Sequence, residues 1–249
     1  MRGLEGRVAF VTGAGHGIGE ACARRLAAEG AMVALTDIDT AAVDSVASEL
    51  PEAAAYHCDT TDSASVTATV ASTVERFGRL DIVVNAAGHN LGGTADAEPT
   101  EEQWLRQYDF TFVGAVRCVE AALPHLRASP GGAVVLIGSI SGLAALGTEP
   151  YGAAKAGLVN LARNLAAKHG PSGVRFNVVA PGTIATRAFA TKPEALDELK
   201  AIYPLGRVGQ PADVAAAVAF LASDEASWIT GVTLPVEGGL LTGPGHLIG

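Results

Sequence analysis

The chain has 249 residues, of which 49% are hydrophobic and 17% charged, and its formal net charge is −9 at pH 7. This acidic balance, with no cluster of Lys and Arg on any predicted helix, argues against a nucleic-acid partner. No apolar run approaches the ~18 residues that span a bilayer, and glycines and charges interrupt the N-terminus where a signal peptide needs an apolar stretch, so we expect a cytoplasmic protein.

Short apolar runs recur along the chain at the length of strands. They are rich in valine and mostly unbroken by polar residues, as in parallel strands that are covered on both faces. The runs are residues 8–11, 32–35, 82–84, 133–137, 176–179 and 232–236. Apolar residues at helical spacing lie between them, at 43–50, 66–77 and 214–221, and Thr100 with Gln103 has the pattern of a capping box. This alternation predicts one α/β domain over residues 1–249, built on a Rossmann-type, doubly wound parallel sheet of about seven strands.

The first strand-to-helix turn is rich in glycine. Thr12, Gly13, Gly17 and Gly19 form the pattern T-G-x-x-x-G-x-G, with Ile18 at the place where G-x-G-x-x-G has its last glycine. The N-terminus of a helix attracts phosphate, and glycine lets the backbone approach a pyrophosphate closely. The pattern therefore predicts a dinucleotide site, with a tight turn that binds no ligand as the alternative.

Asp37 ends the second predicted strand, eighteen residues after Gly19. A carboxylate there accepts hydrogen bonds from the adenosine ribose hydroxyls and repels a 2′-phosphate. His16 is the only titratable residue inside the glycine turn. We therefore expect NAD(H) as the cofactor, with NADP(H) as the less favoured alternative.

Tyr151 and Lys155 stand four residues apart, which places them on one face of a predicted helix. A nearby cation favours the ionised form of a phenol and lowers its pKa from ~10 toward working pH. The alternative interpretation of this spacing is a half-buried tyrosine and a surface lysine without a catalytic role. Ser139, twelve residues upstream and directly after the run 133–137, favours a catalytic group because ligands bind at that edge of such sheets.

These motifs together resemble those of the short-chain dehydrogenase/reductase family, over essentially the whole chain. They follow the family's order: the glycine turn 12–19, Asn85-Ala86-Ala87-Gly88, Ser139, Tyr151 with Lys155, Pro181-Gly182, and the stretch 229–239. The resemblance implies that Tyr151 is the general acid in ketone reduction and the general base in alcohol oxidation. It implies that Lys155 binds the nicotinamide ribose and lowers the tyrosine pKa, and that Ser139, with Ser141 as a competitor, binds the substrate oxygen.

The resemblance also implies contacts with the cofactor. Asp59 would meet the adenine ring, the segment 85–88 would close the adenosine side, and the turn after Pro181 would meet the carboxamide. The implied set is Gly13, Gly17, Ile18, Gly19, Asp37, Asp59, Thr60, Asn85, Ala86, Gly88, Tyr151, Lys155, Pro181, Gly182, Ile184 and Thr186.

One position departs from the family pattern. Counted from Trp104 to Gly114, Thr111 stands where the family usually has an asparagine that helps to hold a proton-relay water. A threonine hydroxyl can bind a water, or it can bond back to the carbonyl four residues earlier. We therefore include Thr111 among the catalytic residues. We expect an active enzyme in which the proton relay is altered.

The segment 183–209 resembles the family's substrate lid. It offers Phe189, Leu196, Ile202 and Tyr203 as apolar covers, while Arg187 and Lys192 are either solvated or face the substrate.

His89 is expected in an exposed loop near the cleft, and Ile140, Leu143, Leu146 and Pro150 predict a mainly apolar pocket. The six histidines lack the spacing of a metal site, so no catalytic metal is expected.

The leading hypothesis is an NAD(H)-dependent oxidoreductase that interconverts a small or medium secondary alcohol and a ketone. A 3-oxoacyl-[acyl-carrier-protein] reductase is the first alternative, although Asp37 disfavours the NADPH that such reductases generally use and the acidic chain offers no dock for an acidic carrier. A catalytically silent, dinucleotide-binding regulator is the alternative of another class.

Assembly is predicted from the resemblance, and the state of the thiols from composition. The family implies a homotetramer in which the helices at 104–127 and 150–169 pair between subunits, and the tail 240–249 is a candidate to reach a neighbouring pocket. Cys22, Cys58 and Cys118 are odd in number and have apolar neighbours, so we expect buried, reduced thiols.

Overall fold

In the computed structural model, which describes residues 1–92, 98–187 and 199–243, seven parallel strands form one sheet. The strands lie in the order β3-β2-β1-β4-β5-β6-β7. Their bounds are β1 Val8–Thr12, β2 Met32–Asp37, β3 Ala53–His57, β4 Ile82–Asn85, β5 Ala133–Ile137, β6 Arg175–Pro181 and β7 Thr233–Val236. The prediction of a seven-stranded, doubly wound parallel sheet is therefore confirmed.

Helices cover both faces of this sheet. They are α1 Gly17–Ala28, α2 Thr40–Ser48, α3 Ser63–Phe77, α4 Glu101–Tyr108, α5 Gly114–Ala128, α6 Glu149–His169 and α7 Pro211–Ala222. In β1, alternate residues enter the hydrophobic clusters on opposite faces of the sheet: Ala9 and Val11 pack with α1 and α7, whereas Val8 and Phe10 pack with α3, α5 and α6. Burial on both faces explains why the strands are nearly unbroken apolar runs.

The strand that the sequence did not locate is β3. Its residues, AAAYH, are mostly alanine, which is depleted in strands, and all of them are half-buried or exposed. It pairs with β2 at the edge of the sheet, so it lacks the run of buried valines that marked the other strands.

The predicted helices are found with two corrections. The pattern 43–50 overran α2, which ends at Ser48, and the helix expected over 104–127 is interrupted by a π-helix at Asp109–Val113 between α4 and α5. The capping box of Thr100 and Gln103 is confirmed at the start of α4. A π-helical turn widens a helix by one residue and often marks a functional site.

The three cysteines are buried and unpaired, as expected. Burial raises the pKa of the Cys22 thiol to about 12 and also raises the pKa of Cys58 and Cys118, so these thiols are inert in the folded chain. Among the described residues, no helix has the length and apolar character needed to cross a membrane.

Candidate active site

The glycine turn lies where the strand order reverses, between β1 and β4. Ligands of open α/β sheets bind in the crevice at this point. Helix α1 starts directly after the turn, and within the described part of the chain no side chain caps it, since its N-cap residue is His16. By contrast, Asp39 and Asp62 cap α2 and α3. The first-turn N–H groups of α1 therefore lack a side-chain partner that would compete with a phosphate.

Close backbone contacts require the glycines of this turn. Gly13 has a φ of +63°, and a Cβ added there would lie 2.9 Å from the Ala87 nitrogen. A Cβ on Gly19 would lie 2.0 Å from the Gly13 carbonyl oxygen, so the start of α1 packs directly on the turn. A cradle of this kind fits the pyrophosphate of a dinucleotide.

The Asp37 carboxylate lies beside the turn in a fixed orientation. Its Oδ2 accepts a 3.1 Å hydrogen bond from the Gly15 N–H, and its Oδ1 accepts one of 3.1 Å from the Asp39 N–H. Each oxygen keeps a lone pair, so the arrangement fits the acceptance of ribose hydroxyls.

The residues expected around adenosine lie at the same edge of the sheet. Asn85 is 2% exposed, and its side chain donates to Thr12 Oγ1 at 3.2 Å, so this side chain joins β4 to β1. Thr12 Oγ1 also accepts from the N–H groups of Ala86 and Ala87, which fixes the course of the chain toward Gly88. Asn85 thus has a structural role that the sequence did not reveal.

Asp59 and Thr60 follow β3. Asp59 Oδ1 accepts from the Thr61 hydroxyl and N–H at 2.7 and 2.8 Å, and these bonds lower the pKa of the Asp59 carboxyl. Thr60 is buried, and its carbonyl accepts a 3.2 Å bond from Arg117 on α5. Contact of either residue with adenine stays a prediction.

The structure brings Ser139, Tyr151 and Lys155 together at the end of β5. Lys155 Nζ lies 5.6 Å from the centroid of the Tyr151 ring, and it donates a 2.6 Å hydrogen bond to the Ile137 carbonyl. The Ser139 side chain acts to lower the pKa of Tyr151, so the two side chains lie close together. Ser139 Oγ also accepts the Ser141 N–H at 3.1 Å, so Ser139 caps the 3₁₀ turn Ile140–Gly142. These bonds favour Ser139 over Ser141 as the partner of the tyrosine.

Burial dominates the ionisation of both groups. It raises the pKa of Tyr151, and the hydrogen bond from Ser139 opposes this only in part. It lowers the pKa of Lys155, which is 1% exposed, to about 7. The direction for Tyr151 is opposite to the lowering predicted from its lysine neighbour, because desolvation of the phenol is the largest influence on its pKa and Lys155 is not among the causes of the shift.

Thr111 lies within the π-helix and is fully buried. Its Cα is 3.7 Å from the point where a Cβ on Gly88 would lie, and that point is 3.5 Å from Lys155 Nζ, so Gly88 allows the threonine and the lysine to approach. The Thr111 hydroxyl oxygen accepts a 2.7 Å hydrogen bond from Gln107 Nε2. Sequence reasoning missed Gln107, although its i, i+4 spacing to Thr111 is visible.

The turn after β6 crosses the glycine turn. Thr186 Cγ2 lies 3.2 Å from the point where a Cβ added to Gly17 would lie. Ile184 forms an isolated parallel β-bridge with Gly209. Tyr203 is 3% exposed, and its hydroxyl accepts the Thr183 N–H at 2.8 Å. Tyr203 is therefore a buried anchor for this turn rather than an apolar cover; the predicted roles of Phe189, Lys192 and Leu196 lie outside the described residues.

Arg187 contacts the glycine turn from the end of this segment. Its Nη1 lies 3.0 Å from His16 Nε2, which is in turn 3.2 Å from Asp39 Oδ2. The sequence left Arg187 either solvated or facing the substrate. The structure leaves Arg187 exposed, in agreement with the solvated alternative, and places its guanidinium against the glycine turn, although 171 residues separate it from His16.

The substrate side of the cleft is partly apolar. Leu143 and Leu146 are 39% and 38% exposed, whereas Ile140 and Pro150 are buried, so only the two leucines offer open apolar surface. His89 is exposed, as expected, and its ring packs edge-on to Phe110 at 5.1 Å between centroids.

Comparisons with known proteins agree with this geometry. The family model described as enoyl-(acyl carrier protein) reductase matches residues 13–241. The chain is 41% identical to meso-2,3-butanediol dehydrogenase of Serratia marcescens, covering 98% of both chains, and 40% identical to cis-4-hydroxycyclohexanecarboxylate dehydrogenase of Sinomonas cyclohexanicum, covering 94% of this chain and 96% of the relative. A crystal structure of an oxidoreductase of the short-chain dehydrogenase/reductase family from Burkholderia thailandensis superposes with a TM-score of 0.88 at 40% identity, covering 95% of this chain and 93% of that one.

Proposed function

This chain belongs to the short-chain dehydrogenase/reductase family, and we propose that it is an NAD(H)-dependent oxidoreductase that interconverts a secondary alcohol and a ketone. The observation that carries the proposal is the meeting of Tyr151, Ser139 and Lys155 at the carboxyl edge of the sheet, beside the glycine turn. The two dehydrogenases named above support it, since meso-2,3-butanediol and cis-4-hydroxycyclohexanecarboxylate each carry a secondary alcohol.

The glycine turn and the N-terminus of α1 would hold the cofactor's phosphates, and Asp37 would hold the adenosine ribose. Thr183, whose N–H is fixed by Tyr203, starts the segment that would bind the carboxamide. The bound dinucleotide supplies the acceptance and release of a hydride. A fixed Asp37 carboxylate would repel a 2′-phosphate, so we infer a preference for NAD(H) over NADP(H).

Tyr151 moves the proton at its phenol oxygen. In ketone reduction it gives its proton to the carbonyl oxygen, and in alcohol oxidation it accepts the proton of the hydroxyl. With substrate bound, the Ser139 hydroxyl would turn its hydrogen from the Tyr151 oxygen to the substrate oxygen and would stabilise the charge that develops there. Because burial raises the pKa of Tyr151, the protonated form suited to reduction prevails at neutral pH, and alcohol oxidation should quicken toward alkaline pH.

The test is a panel of small and medium secondary alcohols with NAD⁺, followed by the nicotinamide absorbance. Leu143 and Leu146 favour substrates with apolar groups beside the hydroxyl. Turnover of several alcohols, abolished by Tyr151→Phe, is the expected result. Binding of NAD⁺ without any absorbance change across the panel would point instead to a silent regulator.

The runner-up is reduction of a 3-oxoacyl thioester held on acyl carrier protein, and the description of the matched family model is its specific support. The net charge of −9 and the Asp37 carboxylate count against it. A 3-oxoacyl thioester assayed with NADPH and with NADH separates the two proposals. Reduction faster than any alcohol oxidation, and faster with NADPH, would replace the leading proposal.

We infer further that the protein is a cytoplasmic homotetramer. Helix α4 leaves Trp104, Leu105 and Tyr108 at 38%, 63% and 40% exposure, and such surface favours the predicted pairing of residues 104–127 and 150–169 between subunits. Light scattering on the full chain and on a chain that lacks residues 244–249 tests both the tetramer and the predicted reach of the tail.

A further inference from the structure

Arg187 is a cation that the fold brings to the glycine turn. The backbone before it is anchored, because the Ala185 N–H donates to the Gly209 carbonyl at 2.8 Å and the Gly209 N–H donates to the Thr183 carbonyl at 2.9 Å. From this anchored segment the Arg187 guanidinium reaches the turn, with Nη1 at 3.0 Å from His16 Nε2. The chain that follows β6 thus sets a positive charge beside the start of α1.

His16 is a poor partner for this guanidinium. The same ring nitrogen, Nε2, lies 3.0 Å from Arg187 Nη1 and 3.2 Å from Asp39 Oδ2. One imidazole nitrogen either accepts a hydrogen bond from the arginine or donates one to the carboxylate, and it cannot do both. Within residues 1–92, 98–187 and 199–243, no carboxylate forms an ion pair with Arg187. In the described chain the guanidinium therefore lacks the anionic partner that its planar fork of donors matches best.

A cavity of about 450 Å³ lies beside this contact, between α1, the segment 185–187 and the start of α7. Gly17, the first residue of α1, and Arg187 both line it. The carboxylate that lines it belongs to Glu20, which accepts a 2.8 Å hydrogen bond from Arg24. An anion held at the start of α1 therefore has open space toward the guanidinium, where the neighbouring carboxylate is already paired.

The surrounding charge makes a cation important at this place. The formal net charge of the chain is −9 at pH 7, and the carboxylates of Asp37 and Asp39 lie beside the glycine turn. A dinucleotide brings two negatively charged phosphates to such a turn, whereas the N-terminus of a helix offers only about half a positive charge. Arg187 adds a full positive charge to the one that α1 provides.

We propose that Arg187 binds the pyrophosphate of the cofactor, exchanging its contact with His16 for hydrogen bonds to phosphate oxygens. The inference rests on the proposed function, because it assigns one more residue of this chain to the same dinucleotide. Hydrogen bonds from a guanidinium to phosphate are charge-assisted, so they outweigh a contact with an imidazole that Asp39 also engages. The same bonds tie the segment that begins at Thr183 to the phosphates.

Titration calorimetry of Arg187→Gln with NAD⁺ and with ADP-ribose tests this assignment without turnover. Both ligands carry the pyrophosphate, and only NAD⁺ carries the nicotinamide. Loss of a charge-assisted hydrogen bond should raise Kd about tenfold, by the same factor for both ligands. The wild-type Kd for ADP-ribose should also rise more steeply with NaCl than that of the variant, because salt screens a pair formed by an exposed guanidinium.

Arg24→Gln is the matched control, since it removes the same charge from an arginine that lines the same cavity and is already paired with Glu20 and Glu49. Its Kd for both ligands should stay within about twofold of the wild-type value. Arg187→Lys keeps the charge without the planar fork, so its Kd should lie between those of the wild type and Arg187→Gln. Both arginines are at the surface, so we expect all three variants to fold.

A wild-type Kd for ADP-ribose in Arg187→Gln would overturn the inference. If NAD⁺ binding alone weakened, Arg187 would act at the nicotinamide, and if neither weakened, it would be a solvated side chain. Equal losses in Arg24→Gln and Arg187→Gln would also contradict it, since the effect would then be one of general charge. A wild-type protein that binds neither ligand would remove the proposed function itself, which is a different outcome.

Discussion

Lys155 Nζ donates a 2.6 Å hydrogen bond to the carbonyl of Ile137, the last residue of β5. This bond ties α6 to the sheet just before Ser139 leaves it, so the lysine is oriented by backbone. Burial at 1% exposure lowers its pKa to about 7, against 10.5 for a free lysine. The residue on which the proposed chemistry depends is thus also one that the fold accommodates at a cost in stability.

That cost predicts a pH-dependent stability. Between the folded pKa of about 7 and the unfolded value of 10.5, the unfolded chain binds more protons at residue 155, so the stability of the wild type relative to Lys155→Met should rise with pH across this window. Below about pH 7 the cost is complete and the difference should level off. Urea unfolding of both proteins from about pH 6 to about pH 9.5 measures it.

Lys168→Met is the control for this comparison, because Lys168 is an exposed lysine at the end of the same helix. Because Lys168 acts on the pKa of His169, its stability difference from the wild type should be flat only above the titration range of that histidine, from about pH 7.5 to about pH 9.5. A Lys155→Met difference that is equally flat would mean that the buried lysine keeps its ordinary pKa.

Cofactor choice should depend on Asp37. Asp37→Ser removes the charge that repels a 2′-phosphate and the acceptor for ribose hydroxyls, so the ratio of kcat/KM for NAD⁺ to that for NADP⁺ should fall at least about tenfold. Asp39→Asn is the control, since it changes a neighbouring carboxylate that faces His16 and can still cap α2. An unchanged ratio in Asp37→Ser would show that this carboxylate does not select the cofactor.

The two serines after β5 should differ in their effect on turnover. Ser139 is the serine whose side chain acts on Tyr151, so Ser139→Ala should lower kcat about a hundredfold or more through lost stabilisation of the substrate oxygen. Ser141 contributes its backbone N–H to Ser139 and would keep it in Ser141→Ala, whose kcat should stay within about threefold of the wild type. The reverse ranking in steady-state kinetics would exchange the two assignments.

Arg175 should matter for stability alone. It is 9% exposed, and its guanidinium donates to the carbonyls of Leu221, Ala222 and Ser223, at the C-terminal end of α7. Arg175→Met would leave these carbonyls without their charged partner, so the free energy of unfolding should fall by about 2–4 kcal/mol. The kcat of the folded fraction should not change. A loss of less than about 0.5 kcal/mol in the free energy of unfolding, measured by urea unfolding, would contradict this role.

Local patterns were sufficient for much of this fold. The run 133–137 matches β5 residue for residue, because a strand covered on both faces reads as an unbroken apolar stretch. The order of the motifs likewise placed Ser139, Tyr151 and Lys155 in one cleft. Strand β3 was missed because its alanines carry little strand preference and its edge position requires little burial.

What the sequence could not provide were contacts between distant side chains and the balance of opposing effects. The bond of Tyr203 to Thr183 and the approach of Arg187 to His16 depend on how loops close, which no periodicity records. The raised pKa of Tyr151 depends on the depth of burial, which spacing to a lysine does not reveal.

Tyr151→Phe tests the central claim most directly. The substitution removes one oxygen atom from a half-buried side chain, so the fold and the binding of NAD⁺, followed by titration calorimetry, should be preserved. We predict that kcat for alcohol oxidation falls by about a thousandfold or more, because the group that takes the proton is gone. Turnover near the wild-type level in a variant that still binds NAD⁺ would contradict the account.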